Sequence, residues 1–298
     1  MRIFLAGASG AIGRRLVPLL IAAGHDVTGT TRSAEAARKL EAAGVRPAVV
    51  DVYDATALER AAIDAQPEAV VHQLTDLPQA FDEKNLAASY PRNARIRVEG
   101  TRNLIAAARA AGARRFIVQS IAFAYAPGRE PHVEDDPLNL ADGPRLVTVR
   151  GAADMEQQAL ASGMDAFVLR YGLFYGPGTW NDGPSRKPAL HVDAAAQAAV
   201  LALARGAPGI YTSPTTTERY RSRRPVVTLA STLLSGRPFS RFGLLRGGLF
   251  DSGFAGGRRK RLAEKARALQ PITPRFLGGF GNADAHASHD LNRAIASK

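Results

Sequence analysis

The 298-residue chain has no cysteine, which excludes disulfides, thiolate metal sites and a cysteine nucleophile. Tryptophan occurs once, at Trp180. No apolar run approaches the roughly 18 residues of a membrane-spanning helix. A strand expected from residue 2 leaves no space for a basic leader and an apolar segment behind it. A cytoplasmic protein without membrane contact is therefore the expectation. No grouping of side chains has metal-ligand spacing, so no metal is expected either. Lysine is missing from the whole stretch between Lys84 and Lys187, an absence that bears on chemistry below.

Acidic residues are scarce at one end only. The net charge is +12, yet residues 212–298 hold 16 Lys and Arg against 5 Asp and Glu, while residues 1–211 hold 23 against 22. The body is neutral and the tail is basic. A hydrophobic content of 46% and this length suit one large α/β domain, or a nucleotide-binding domain with a small lobe.

What is present is concentrated at the start. Arg2-Ile-Phe-Leu-Ala6 is a short apolar strand, followed by Gly7-Ala-Ser9-Gly10-Ala11-Ile12-Gly13 and a helical run closed by Gly24. A strand, a glycine turn and a helix N-terminus make a site for a pyrophosphate, because first-turn amides are free and the helix dipole favours negative charge. Gly7 suits the sharp turn, Gly10 a close approach of backbone to phosphate, and Gly13 close helix–strand packing. Ser9, Ala11 and Ile12 belong to the same candidate cofactor site.

Strands and helices then alternate. Strands are expected over residues 25–31, 47–54, 68–75 and 113–120, and helices over 34–43, 55–64 and 94–111. Asp54 is a candidate N-cap, and residues 76–91, with Pro78 and Pro91, read as a loop. This alternation predicts a Rossmann-type, doubly wound parallel sheet, with ligands at the carboxyl ends of its strands. The second strand ends Thr30-Thr31-Arg32-Ser33 without the carboxylate that takes the ribose hydroxyls of NAD. Arg32, with Arg14 and Arg15 nearby, favours the 2′-phosphate of NADP over NAD. Gln73, after the fourth strand, is expected to run beside the cofactor, and His72 to be a packed residue.

The motifs taken together are similar to those of extended short-chain dehydrogenase/reductases of the NAD-dependent epimerase/dehydratase group. The resemblance rests on the glycine turn, Asp51-Val52-Tyr53-Asp54, Glu99-Gly100-Thr101-Arg102-Asn103-Leu104 and Gln119-Ser120. Leu169-Arg170-Tyr171-Gly172-Leu173-Phe174-Tyr175-Gly176-Pro177-Gly178 and His191-Val192-Asp193-Ala194-Ala195 extend it. It spans residues 1–211 in family order, and it implies that Asp51 and Val52 lie on the adenine side of the cofactor.

The catalytic signature departs from that pattern. Family enzymes pair a Ser or Thr with Tyr-x-x-x-Lys on the next helix, where i and i+4 share a face and the Lys lowers the pKa of a Tyr acting as general acid. With Glu156 aligned on the acidic residue that follows the Lys, Thr148 stands at the Tyr position and Ala152 at the Lys position. Ser120 is left as the candidate carbonyl-polarising hydroxyl, in a register uncertain by one residue. Tyr125, and beside it Tyr171 and Tyr175, are substitute candidates for the proton donor. The acidic loop His132-Val-Glu134-Asp135-Asp136 could face substrate or cap the next segment.

The expected domains are 1–176 (dinucleotide binding), 177–236 (a small substrate lobe with Trp180 as an aromatic wall) and 237–298 (a basic, poorly ordered tail). Family members commonly continue Tyr-Asn-(Ile or Val) where this chain has Tyr211-Thr212-Ser213. Restoring one base ahead of codon 212 permits Asn-Ile-Ala-Asp-Asp-Asp-Gly, and further on a Leu-Gly-(aromatic)-x-Pro ending typical of the family. Everything after Tyr211 is therefore expected to be read in a shifted frame, which makes Arg258-Arg259-Lys260-Arg261 an accident rather than a nucleic-acid patch. The rival expectation is a genuine basic extension, with salt-dependent nucleic-acid binding. The functional expectation is an NADP-preferring oxidoreductase acting on a small carbonyl, alcohol or sugar-like substrate. The alternatives are a non-catalytic NADP(H)-binding regulator and a nucleotide-sugar-type epimerase. A homodimer is left open.

Overall fold

The computed structural model describes residues 1–78, 82–184 and 188–212. The shifted-frame expectation beyond residue 212, the tail over 237–298 and most of the lobe over 177–236 lie outside them.

The elements run β1 (Arg2–Ala6), α1 (Gly13–Ala22), β2 (Asp26–Thr31), α2 (Ala34–Ala42), β3 (Arg46–Val49), α3 (Ala55–Ala65) and β4 (Ala69–His72). Next come α4 (Glu83–Arg95), a π-helical turn (Ile96–Gly100), α5 (Thr101–Ala110), β5 (Arg115–Ile121) and α6 (Leu146–Leu160). The described part ends with β6 (Asp165–Tyr171), β7 (Leu173–Tyr175), β8 (Ala189–His191), α7 (Val192–Ala204) and β9 (Gly209–Thr212).

Seven strands form one parallel sheet in the order β3-β2-β1-β4-β5-β6-β9, and β7 pairs with β8 separately. The chain winds outward from β1 in one direction and from β4 in the other, so the switch point lies between β1 and β4. Period-two alternation in β1 serves both faces. Ile3 and Leu5 pack with Leu16, Leu20 and the alanine-rich α7, while Phe4 and Ala6 pack with Leu58, Leu104, Phe116 and Met155. A sheet covered on both faces needs continuous apolar strands, which is what Val70-Val71 and Phe116-Ile117-Val118 supply. Helix starts are set locally: Ser33 Oγ accepts from Ala36 N at 3.1 Å and Asp54 Oδ1 from Ala57 N at 3.0 Å.

The loop expected over 76–91 is shorter than the sequence suggests. Helix α4 begins at Glu83 and carries Pro91 in its interior. Proline there removes one amide and crowds the preceding turn. Packing against α6 holds the helix nonetheless: a Cβ built on Gly151 would stand 3.0 Å from Ala94 Cα. The π turn follows directly and joins α4 to α5.

Candidate cofactor cleft and the proton-donor candidates

The cleft opens at the switch point. Gly7 has φ +92°, and a Cβ there would meet the Gln73 carbonyl group at 2.8 Å, so only glycine lets the β1 and β4 ends come together. Gly13 is still more confined, with Gly7 O at 2.2 Å from a built Cβ. Gly10 N donates to Gly7 O at 3.0 Å and closes the turn. Ile12, ahead of α1, provides no side-chain cap. Among the described residues the amides of Ala11 and Ile12 donate no hydrogen bond, which leaves a helix N-terminus open to an anion.

Gly7, Ser9, Gly10, Arg32, Asp51, Val52 and Gln73 all line the cleft. Ala11, Ile12 and Gly13 do not: Ile12 points into the core and Gly13 serves the turn itself. Thr30 and Tyr53, from the two strand-end motifs, line it as well, as do Thr75 and Asp76. Gln73 is the most informative wall residue. It is 5% exposed, and neither its Oε1 nor its Nε2 has a partner among the described residues. A buried amide left unpaired on both sides costs stability unless a ligand satisfies it. Its setting, the open amides and the glycine turn fit a dinucleotide. Arg32 is exposed at the cleft edge. Arg15 does not add its charge there as expected, because its guanidinium donates to Asp193 at the start of α7.

The two proton-handling candidates are placed elsewhere. Ser120 is fully buried and its hydroxyl donates to Glu156 Oε1 at 2.5 Å. Glu156 also receives Arg170 Nε at 3.0 Å and Nη2 at 2.7 Å. Arg170 Nη1 reaches Tyr125 Oη at 2.9 Å and the Glu134 carbonyl at 3.0 Å. Tyr125 is buried, its ring stacked on His132 at 4.7 Å, and burial raises its pKa. Ser120 and Tyr125 thus belong to a buried polar network between β5, β6 and α6, and neither lines the cleft. Tyr171 is also withdrawn, with its hydroxyl on Ala195 O at 2.9 Å and its pKa raised by burial. His72 is packed as expected, 3.0 Å from Thr101 Oγ1, and burial lowers its pKa to about 3.

Ile121 packs with Ala124, Val149 and Ala152 in a small apolar cluster joined by Phe123 and Leu138. Ala152, expected at the position of the family lysine, is therefore covered by hydrocarbon. The backbone carbonyl of Thr148, expected at the position of the family tyrosine, accepts from Arg97 Nη1 of the π turn at 3.1 Å. In the acidic loop, Glu134 is buried with Oε1 on Thr212 N at 2.8 Å, and burial raises its pKa to about 7. Its Oε2 and Thr212 Oγ1 lack partners among the described residues. Asp136 instead holds His132 Nδ1 at 3.0 Å and Val133 N at 3.1 Å.

A doubly wound parallel sheet with a glycine turn and an open helix N-terminus at its switch point defines a dinucleotide-binding α/β protein. The chain belongs to the NAD-dependent epimerase/dehydratase family, whose model matches residues 3–206. It is 44% identical over 182 residues to a Streptomyces protein named 3-diazoavenalumate denitrifying reductase, covering 60% of this chain and 58% of that one. It is 30% identical over 189 residues to UDP-glucose 4-epimerase of Mycolicibacterium smegmatis, covering 59% and 57%. The chain thus spans less than three fifths of the length of these curated relatives. Among solved structures, UDP-glucose 4-epimerase of Thermus thermophilus in complex with NAD shares the fold. The TM-score is 0.58 at 22% identity, over 85% of this chain and 95% of that one. The Bordetella bronchiseptica enzyme WbmH in complex with NAD+ aligns with a TM-score of 0.57 at 23% identity, over 72% and 76%. Among the described residues no helix is long and apolar enough to cross a membrane, and no group of side chains could hold a metal ion.

Proposed function

We propose that this chain is an NADP(H)-dependent reductase that passes hydride to a small electrophile without giving it a proton. The observation that carries the reading is the apolar cluster of Ile121, Ala124, Val149 and Ala152, around the position that the motif resemblance gives to the family lysine, in a chain with a glycine-lined cleft at its switch point. NADPH bound in the cleft supplies the hydride. Gly7, Ser9 and Gly10, with the amides of Ala11 and Ile12, would hold the pyrophosphate. Asp51 and Val52 would line the adenine, Gln73 would satisfy its amide on the ligand, and Arg32 would take the 2′-phosphate.

A positioned general acid contributes about 10²–10⁴-fold to proton transfer. A carbonyl compound must gain a proton on oxygen as hydride arrives at carbon, so it is a poor substrate for this site. That narrows the carbonyl, alcohol or sugar-like expectation. An arenediazonium ion is a better match, since exchange of its dinitrogen for hydrogen consumes one hydride and no proton, and releases N2. The name of the 44% identical Streptomyces relative, which specifies a diazo substrate and denitrification, supports this class. Epimerisation is disfavoured because it also needs a proton-accepting group beside the substrate oxygen.

The second reading is a non-catalytic NADP(H)-binding regulator, which the same lost dyad favours. Oxidation of NADPH in the presence of a water-soluble arenediazonium carboxylate, a ketone and a nucleotide sugar separates the two. Turnover with the diazonium salt alone is the expected result. Tight binding with no turnover across the panel assigns the regulator, and efficient ketone reduction refutes the proton-free chemistry.

A further inference from the structure

Arg97 is a buried cation without an anion. It stands in the π turn between α4 and α5, where Ile96, Arg97 and Gly100 are buried, and it is 6% exposed. Its guanidinium makes one hydrogen bond, from Nη1 to the Thr148 carbonyl at 3.1 Å. That carbonyl lies inside α6, where the helical ladder provides a donor in any case. Nε and Nη2 have no partner among the described residues, and neither is wholly sealed off. Together they form the side edge of the guanidinium fork, which matches a carboxylate bidentately.

The surroundings do not balance its charge. Glu156 attracts Arg97 only through space, because both of its oxygens are taken by Arg170, with Ser120 also on Oε1. His72, whose pKa Arg97 helps to lower, is neutral. Burial lowers the pKa of Arg97 itself to about 10, so it stays charged at neutral pH. Water could serve the N–H groups, but an uncompensated buried charge remains destabilising. An anion on the free edge removes that penalty. The phosphates of a dinucleotide are not that anion, since the glycine turn and Arg32 are placed to take them. Ile96 lines the cofactor cleft, whereas Arg97 does not. Arg97 is tied instead to α6, one turn before Ala152 of the apolar cluster, so its anion comes from a second molecule.

We propose that the Nε–Nη2 edge of Arg97 receives the carboxylate of a small aromatic acid next to the cofactor cleft. That the acid is aromatic rests on the arenediazonium reading above. For an arenediazonium carboxylate the guanidinium attracts one end and repels the other, which fixes the orientation of the substrate. Benzoate, benzamide and inorganic phosphate are titrated by calorimetry into the full chain, with and without NADP+, for wild type, R97K and R97Q. Benzoate affinity should fall by about 10- to 150-fold in R97Q, the worth of a hydrogen bond to a charged group. R97K, which keeps the charge but not the fork, should recover part of that loss. Benzamide should bind wild type and R97Q equally weakly. Benzoate should also raise the melting temperature of wild type but not of R97M, a second variant that removes the charge. No benzoate binding, or equal affinity in wild type and R97Q, overturns the carboxylate site and leaves the reductase reading intact. Phosphate preferred over benzoate overturns it too, as does a loss in R97Q confined to NADP+. Benzoate bound through Arg97 without turnover of 4-carboxybenzenediazonium overturns the reductase reading and leaves the anion site standing.

Discussion

Replacing Glu134 by Gln removes a carboxyl that the fold holds out of water. Glu134 accepts from Thr212 N and lies beside Arg170, yet burial outweighs both and raises its pKa from the ordinary 4.5 to about 7. A raised carboxyl pKa means that the native state binds the proton more tightly than the unfolded chain. Its stabilising contribution is complete below pH 4.5 and is lost as pH rises through about 7. The whole effect amounts to about 3 kcal/mol, most of which falls between pH 5 and 8.5. His72 acts in the opposite direction, because its native pKa of about 3 lies below 6.5. Stability from His72 is present above pH 6.5 and is lost as pH falls toward 3. Both proteins share that term, so the difference between E134Q and wild type isolates Glu134. Urea unfolding followed by Trp180 fluorescence at pH 5, 6, 7 and 8.5 provides the measurement. The stability of E134Q relative to wild type should rise by about 2–3 kcal/mol over this range. A constant difference refutes the placement of Glu134 in a dry network at the ends of β6 and β9.

Other predictions concern the cleft and its border. G13A puts a methyl group 2.2 Å from Gly7 O and 2.5 Å from Ala8 O, backbone atoms that cannot swing aside. Calorimetry should show NADPH affinity reduced at least tenfold, and melting a destabilisation of about 1–3 kcal/mol. R32A should weaken NADPH binding by about 10-fold or more, the worth of one charge-assisted hydrogen bond, with NADH binding unchanged; equal losses for both cofactors would contradict the 2′-phosphate assignment. T212N offers the unpartnered Glu134 Oε2 an amide donor and should stabilise the chain by about 1 kcal/mol. That side chain is also what a restored reading frame would supply, so sequencing codons 205–240 of the gene tests the same idea independently.

The glycine turn, the strand–helix alternation and most of the cleft wall are legible because they rest on local rules. Gly7 and Gly13 are forced by backbone approach, and Asp54 caps a helix through its own side chain. Helix α4 is hidden because its evidence is tertiary: Pro91 argues against a helix, and packing that includes Ala94 against Gly151 and the burial of Ser89 and Asn93 overrides it. Ser120 escapes sequence reading for a related reason. A one-residue shift along a strand moves a side chain to the opposite face, and nothing in Gln119-Ser120-Ile121 says which face meets the cofactor. The clue available is the distance to Tyr125, five residues on rather than four, and it points to Ile121. Arg15 cannot be separated from Arg14 and Arg32 by sequence, since its partner Asp193 lies 178 residues away.

The central claim, a cofactor cleft without a proton donor, is tested most directly by isotope and pH together. An arenediazonium carboxylate is reduced in ordinary water with NADPH carrying deuterium at the transferred position. Deuterium should appear at the carbon that loses N2, with a rate showing no ionisation of a general acid between pH 6 and 9. A product that takes its hydrogen from water, or a rate that rises and falls with an acid in that range, would contradict it.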